Sequence, residues 1–302
     1  YEHNGLYRSF VRAIGADALS VTDISHIPFL PISFFKGHEV ITTTFNPEII
    51  FESSGTTHTG NSRHLVRSVN LYRKSFIKAF EIFYGKVTDW CIVGLLPSYL
   101  ERQHSSLVMM VDELITLSNN ADSAFYLYEH EMLAALLKKN ERAGKKTLLI
   151  GVTFALLDFS EAFPFPMQHT VVMETGGMKG RKKEITREEV HSLLTSAWGL
   201  DSIHSEYGMT ELLSQAYSDG NGLFKCPPWM KIILREEDDP LTIKLPGNRM
   251  QNGLVNVIDL ANVHSCSFIA TDDLGRLHAD GSFEIAGRMD SSDVRGCSLM
   301  YA

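Results

Sequence analysis

The chain has 302 residues, 44% of them hydrophobic and 21% charged, with a formal net charge of -8. That length exceeds what one hydrophobic core usually serves, so a large domain with a smaller companion is expected. The acidic balance argues against nucleic acid as the main partner. No apolar run approaches the ~20 residues of a membrane span. The four cysteines, Cys91, Cys226, Cys266 and Cys297, form no C-x-x-C pair, which argues against a disulfide framework or a clustered zinc site and fits a reduced, cytoplasmic setting.

In chain order, Pro28 and Pro31 in HIPFLPISFF break an apolar approach segment into an extended lead-in. EIIFESSGTT reads as a strand entering a Ser/Thr/Gly loop. Leu65, Val69, Tyr72, Phe76, Phe80 and Phe83 then recur at steps of three and four, an amphipathic helix ended near Gly85. The order is strand, polar glycine loop, helix, with Phe76 and Phe80 in the core. CIVGLLPSYL reads as a strand, SSLVMMVDELITLS as a helix, and AFYLYEHEMLAALLKKNERAG as a longer helix closed by Gly144. KTLLIGVTFALLDF reads as a buried strand and HTVVMETGG as another. TREEVHSLLTSAWGL is a helix opening on a capping box, Thr186 to Glu189. Alternating strands and helices imply an α/β fold, a mainly parallel sheet with helices on both faces. Ligands of such sheets gather at the carboxyl ends of the strands. From about residue 219 only short β-like runs remain. The expected division is 1–218 as the α/β core, 219–286 as a smaller β-rich unit and 287–302 as a hinge-like tail.

Four segments hold residues suited to chemistry. In FESSGTTHTGNSRHLV, Gly55 and Gly60 stand at Walker A spacing and Ser62 at the magnesium-binding hydroxyl position, but Asn61 replaces the lysine. The loop can still hold an anion: backbone N–H groups and the hydroxyls of Ser53, Ser54, Thr56, Thr57 and Thr59 can donate to phosphate, with the helix start adding positive potential. In HSEYGMTELLSQAYS, Tyr207 could stack on a base, Thr210 could donate to phosphate and Glu211 could offer an oxygen to Mg2+. The same residues also suit a plain helix start, with His204 a buried structural histidine. In TDDLGRLHADG, Asp272 and Asp273 lack the rest of a calcium loop; a strand-end carboxylate there could accept ribose hydroxyls, or the run could be a hairpin turn. In GRMDSSDVRGCSLM, Arg288 could read hydroxyls or a carboxylate. Cys297, after Arg295, could be a nucleophilic thiol or a bland surface cysteine.

In this order, SSGTTHTG, YGMTE, TDDLG and GRMD resemble the motif series of the adenylate-forming superfamily. The run from ETGGMKG to LSQAYS, together with IPFLPISFFK and RGCSLM, is similar to the LuxE-type acyl-protein synthetases across essentially the whole chain. That resemblance implies an adenylate-forming α/β domain with a smaller C-terminal β subdomain. It implies ATP and Mg2+ as cofactors, and activation of a carboxylic, fatty, acid as acyl-adenylate. It also implies transfer to a thiol, either Cys297 or one on a reductase, acyl carrier protein or CoA. Ser53 to Gly60, including Gly55, would hold the β/γ-phosphates. Gly176, Gly177 and Met178 would line the adenine site, with Tyr207 on the base. Thr210 would meet the α-phosphate, Glu211 would ligate Mg2+, and Asp273 and Arg288 would hold the ribose.

The chain departs from the resemblance in two places. The loop lysine is replaced, by Ser62-Arg63 or their neighbours, and Arg181, Lys182 and Lys183 are candidates to neutralise the departing pyrophosphate, with Mg2+ as the larger charge. The mobile lid with its catalytic lysine is expected to be absent, which keeps a catalytically silent nucleotide-binding scaffold open as the alternative. A Walker-type phosphotransferase is disfavoured by Asn61, and a serine hydrolase by the lack of a G-x-S-x-G elbow.

Overall fold

The structure, a computed structural model, describes residues 1–53, 60–96, 104–176, 185–245 and 247–289. The chain opens with α1 (Gly5–Ala13), a short β1 (Leu30–Pro31) and α2 (Phe34–Gly37). A hairpin of β2 (Ile49–Glu52) and β3 (Arg63–Val66) precedes α3 (Val69–Tyr84). Strands and helices then alternate: β4 (Cys91–Leu95), α4 (Ser106–Ser118), β5 (Ala124–Phe125), α5 (His130–Arg142), β6 (Thr147–Gly151), α6 (Thr153–Ala162), β7 (Thr170–Glu174), α7 (Arg187–Trp198) and β8 (His204–Tyr207). The remainder is strand-rich: β9 (Ala216–Ser218), β10 (Phe224–Lys225), β11 (Met230–Arg235), β12 (Ile243–Lys244), β13 (Gln251–Asp259), β14 (Phe268–Leu277) and β15 (Phe283–Arg288).

One hydrogen-bonded sheet runs in the order β12-β11-β13-β14-β15-β10-β9-β8-β7-β6-β4-β5, with β1 on β14. Its β5-to-β8 end is parallel. From β8 onward the pairings are antiparallel, apart from the parallel contact of β1 with β14. In the parallel part β4 and β6 are buried at every position, as helices on both faces require. Phe76, Phe80 and Met110 of α3 and α4 pack with Ile92, Leu148 and Ile150 on one face. Leu137, Phe159, Leu194 and Trp198 of α5, α6 and α7 pack with Val93, Leu149 and Val172 on the other. The N-terminal segment joins the antiparallel part: Val11, Leu30 and Phe35 pack with Leu234, Val257, Ile269 and Phe283.

Three local expectations are corrected. The glycine loop does not lead into a helix. It joins two paired strands, and Leu65, read from its spacing as helical, lies in β3 against Ile50; α3 begins only at Val69, capped by Ser68. The helix dipole therefore does not start at the loop. The run KTLLIGVTFALLDF is half strand and half helix. It turns at Gly151, where a Cβ would meet the Leu156 side chain at 2.9 Å, and Ala155, Leu156 and Phe159 then bury a helical face. Ala124 and Phe125 form a short edge strand rather than helix, because Phe125 lies over Gly94 where a Cβ would come within 2.7 Å of its ring.

Candidate active site

The base of the glycine loop is closed by a reciprocal pair of bonds. The Ser53 N–H donates to the Ser62 carbonyl at 3.1 Å, and the Ser62 N–H donates to Ser53 Oγ at 2.9 Å. Ser62 is buried and its side chain hydrogen-bonds Glu211, while Arg63 points outward to Glu52 at 3.7 Å. The pair that stands in for the missing lysine is thus split, the hydroxyl facing in and the cation facing solvent. Gly60, at φ 82°, leaves the loop in a backbone region open mainly to glycine.

Glu211 sits on a segment pinned from three sides. His64 Nδ1–H donates to the Thr210 carbonyl at 2.8 Å, Asn262 Nδ2 donates to the Glu211 carbonyl at 2.7 Å, and the buried Asp259 accepts from the Leu213 N–H at 2.8 Å and from Ser214 Oγ at 2.6 Å. Burial lowers the His64 pKa to about 4, so it remains a neutral donor. Glu211 is 6% exposed. Burial raises its pKa; the Ser62 hydroxyl and the Arg288 charge pull the other way, and Asp273 adds to the rise. A buried acid raised in this way gains from a cation. Among the described residues no three His, Cys, Asp or Glu side chains form a metal cage. Mg2+ does not need one, since it takes one or two carboxylates and completes its shell with phosphate and water.

The second cluster faces the first. Asp273 and Arg288 are cross-strand partners on β14 and β15, with Arg288 Nε 3.7 Å from Asp273 Oδ1. The Tyr207 hydroxyl donates to Asp273 Oδ2 at 2.8 Å. The strand alternation separates the two aspartates: Asp272 is exposed and Asp273 buried, both within β14 rather than in a turn. The Tyr207 ring packs on Phe283 and Phe224 at 5.4 and 5.9 Å and is only 8% exposed, so little of its face is free for a base.

Of the expected residues, Ser53, Gly60, Gly176, Tyr207, Thr210, Glu211, Asp273 and Arg288 are described. Charge interactions already link Glu211 with both Arg288 and Asp273. Gly176 closes β7 at φ 74°, its N–H donating to Glu174 Oε2 at 2.8 Å. Ser54, Gly55, Thr56, Thr57, Thr59, Gly177, Met178 and Cys297, and the cations Arg181, Lys182 and Lys183, lie outside the described residues. His204, half-buried, shares a 3.2 Å hydrogen bond with the Tyr84 hydroxyl.

Sequence reasoning missed the supporting groups. Burial alone would raise the Glu174 carboxyl, but His191, Arg187, the Gly176 N–H and Ser205 bring it down to about 2. Arg187 lies 3.4 Å from Glu174, donates to the Ile285 carbonyl at 3.0 Å and covers the Phe224 ring at 5.2 Å, tying α7 to the antiparallel strands. The one signal available was a charged residue ending an apolar strand, VVME. The Asp259 and Asn262 anchors carried no signal, because their partners are about fifty positions away.

Comparison with known proteins identifies the fold and the family. ATP-bound MatB from Rhodopseudomonas palustris superimposes with a TM-score of 0.58 at 16% identity, over 82% of this chain and 50% of that one. The O-succinylbenzoate coenzyme A synthetase MenE of Bacillus subtilis, solved with ATP and magnesium, gives 0.53 at 14%, over 79% and 49%. The long-chain-fatty-acid-CoA ligase FadD1 of Archaeoglobus fulgidus gives 0.55 at 15%, over 82% and 53%. This chain spans about half the length of those proteins, and the fold it shares with them is that of adenylate-forming ligases. A family profile described as "Acyl-protein synthetase, LuxE" matches residues 1–302. The chain belongs to that family and is, by that membership, a ligase. A curated relative, the long-chain-fatty-acid–luciferin-component ligase of Vibrio harveyi, is 24% identical over 327 residues, 99% of this chain and 83% of that protein. No helix among the described residues is long and apolar enough to cross a membrane.

Proposed function

We propose that the chain activates a long-chain carboxylic acid with ATP and passes the acyl group to a thiol, with Cys297 as the first acceptor. One observation carries the reading. Glu211, at the base of the glycine loop, interacts with the Asp273–Arg288 pair that also engages Tyr207, so groups suited to phosphate, metal and ribose face one another. Ser53 to Gly60 would hold the phosphates, Gly176, Gly177 and Met178 the base with Tyr207 beside it, and Asp273 and Arg288 the ribose. Thr210 would donate toward the α-phosphate. Glu211 would hold Mg2+, which would supply charge neutralisation for the leaving pyrophosphate.

The acid's carboxylate oxygen bonds to the α-phosphorus as the bond to pyrophosphate breaks. A thiolate sulfur then bonds to the acyl carbon as AMP departs. The pinned Thr210–Glu211 segment contributes by positioning, which costs no reorganisation during the reaction. Burial raises the thiols of Cys226 and Cys266 to about 12 and also raises that of Cys91. These three are poor thiolates, which supports Cys297 as the acceptor.

The test is intact-mass and peptide mass spectrometry after incubation with ATP, Mg2+ and a panel of carboxylic acids. A hydroxylamine-sensitive acyl adduct on Cys297, lost in Cys297→Ser, is expected. An adduct that persists in that variant contradicts the assignment of the thiol. Nucleotide binding without any acid-dependent turnover supports the silent scaffold instead.

A further inference from the structure

A cavity of about 280 Å³ opens beside α3, and none of its lining residues belongs to the candidate active site. Leu71, Lys74, Ser75 and Lys78 line it from the helix, at the steps of three and four that share one helix face. Trp229, just before β11, and the exposed Leu260, in the turn after β13, complete the wall. Tyr72, Phe76 and Phe80 take the other side of α3 into the core. The helix therefore carries a second stripe, of leucine and lysine, that the core does not use.

The polar atoms of the floor are already committed. The Trp229 indole N–H donates to Ser75 Oγ at 3.0 Å. Ser214 Oγ donates to Asp259 at 2.6 Å, which leaves the Ser75 hydroxyl to donate to Ser214 Oγ at 3.1 Å. The Leu260 N–H donates to the Trp229 carbonyl at 2.9 Å, so the two segments of the wall are tied together and the cavity is preformed. What is left for a guest is carbon surface, from Leu71, Trp229, Leu260 and the lysine stems, and two ammonium groups one helical turn apart. Lys78 also reaches Glu81 at 2.8 Å; Lys74 is exposed and pairs with no carboxylate among the described residues. No acidic side chain lines the cavity.

That inventory selects the guest. A sugar or a nucleobase needs both donors and acceptors placed on the wall, and a cation would be repelled. The volume suits a small molecule rather than a docked protein element, whose interface takes ~800 Å² of each partner. An alkyl chain ending in a carboxylate satisfies both features, with its chain on Trp229, Leu71 and Leu260 and its anion at Lys74 and Lys78. We propose that this groove binds a free fatty carboxylate, at a site apart from the nucleotide cluster. The inference goes beyond the acyl-transfer reading and does not depend on it.

The experiment is photolabelling with dodecanoic acid carrying a diazirine on its chain, below its aggregation concentration and without ATP. Peptide mass spectrometry should place label on α3 between Leu71 and Lys78, on Trp229 or on Leu260. Dodecanoate should compete for that label, and dodecanol, which has the chain without the charge, should not. Lys74 and Lys78 are exposed, so the double variant Lys74→Glu, Lys78→Glu should melt like the parent. It should take label at this site about tenfold more weakly, the scale of two exposed charge contacts made repulsive. Leu260→Asp should weaken it from the other wall. The parent should not sediment with anionic phospholipid vesicles. Label confined to other residues, or undiminished in the folded double variant, overturns the proposal. Equal competition by dodecanol overturns it too, because the lysines then select nothing. Vesicle binding that is lost in the double variant also overturns it, by assigning the groove to a lipid surface.

Discussion

The parallel and antiparallel ends of the sheet are built on different terms. In the parallel end, β4 and β6 are buried throughout and covered by helices on both faces. In the antiparallel end, β14 alternates, setting Asp272 and Arg276 outside and Asp273 inside. Continuous burial excludes charge except where a strand stops, so the parallel end supplies polar groups at its edge, as with Glu174 and Tyr207. Alternation lets a strand present a carboxylate midway, and Asp273 with Arg288 uses that freedom. The candidate site forms where the two arrangements meet.

The contrast can be broken from the parallel side first. Trp198 is fully buried and donates to the Phe163 carbonyl at 3.2 Å, so Trp198→Ala should cost about 4 kcal/mol in urea melts. Nucleotide affinity per folded molecule should stay unchanged. At the seam, Arg187→Ala strands the buried Glu174 carboxylate and should cost about 3 kcal/mol. The Glu174 carboxyl sits at about 2 in place of its ordinary 4.5. Its contribution is therefore full above pH ~4.5 and disappears as pH falls toward 2. Removing Arg187 raises the folded-state value, so acid unfolding should begin at higher pH, as followed by circular dichroism. On the antiparallel side, Asp273→Asn should leave the melt nearly unchanged and raise the KM for ATP about tenfold, equivalent to about 1.4 kcal/mol. An unaltered KM would separate this cluster from nucleotide binding.

The sequence made legible what depends on near neighbours. The capping box of Thr186 and Glu189 is present in both directions, at 3.2 and 2.8 Å, and the Phe76 and Phe80 stripe is core. Strand–helix alternation identified the parallel sheet. Periodicity failed where a short strand met a helix without a marked break. Leu65 in β3 and Val69 in α3 fit one helical stripe although the chain reverses its structure between them. In the candidate site, the residue order singled out Glu211, Asp273 and Arg288, which the fold brings within charge interaction of one another. The charge of Glu174 and the anchors Asp259 and Asn262 depend on burial and on long-range partners, which no local spacing encodes.

The central claim is that the pinned Glu211 and the Asp273–Arg288 pair serve one nucleotide. Acid-dependent ATP–pyrophosphate exchange in Glu211→Gln, set beside AMP binding by the same protein, tests it most directly. The account predicts exchange reduced at least about a hundredfold, the scale of a lost electrostatic stabiliser, with AMP still bound. Exchange at the parental rate in that variant would contradict it.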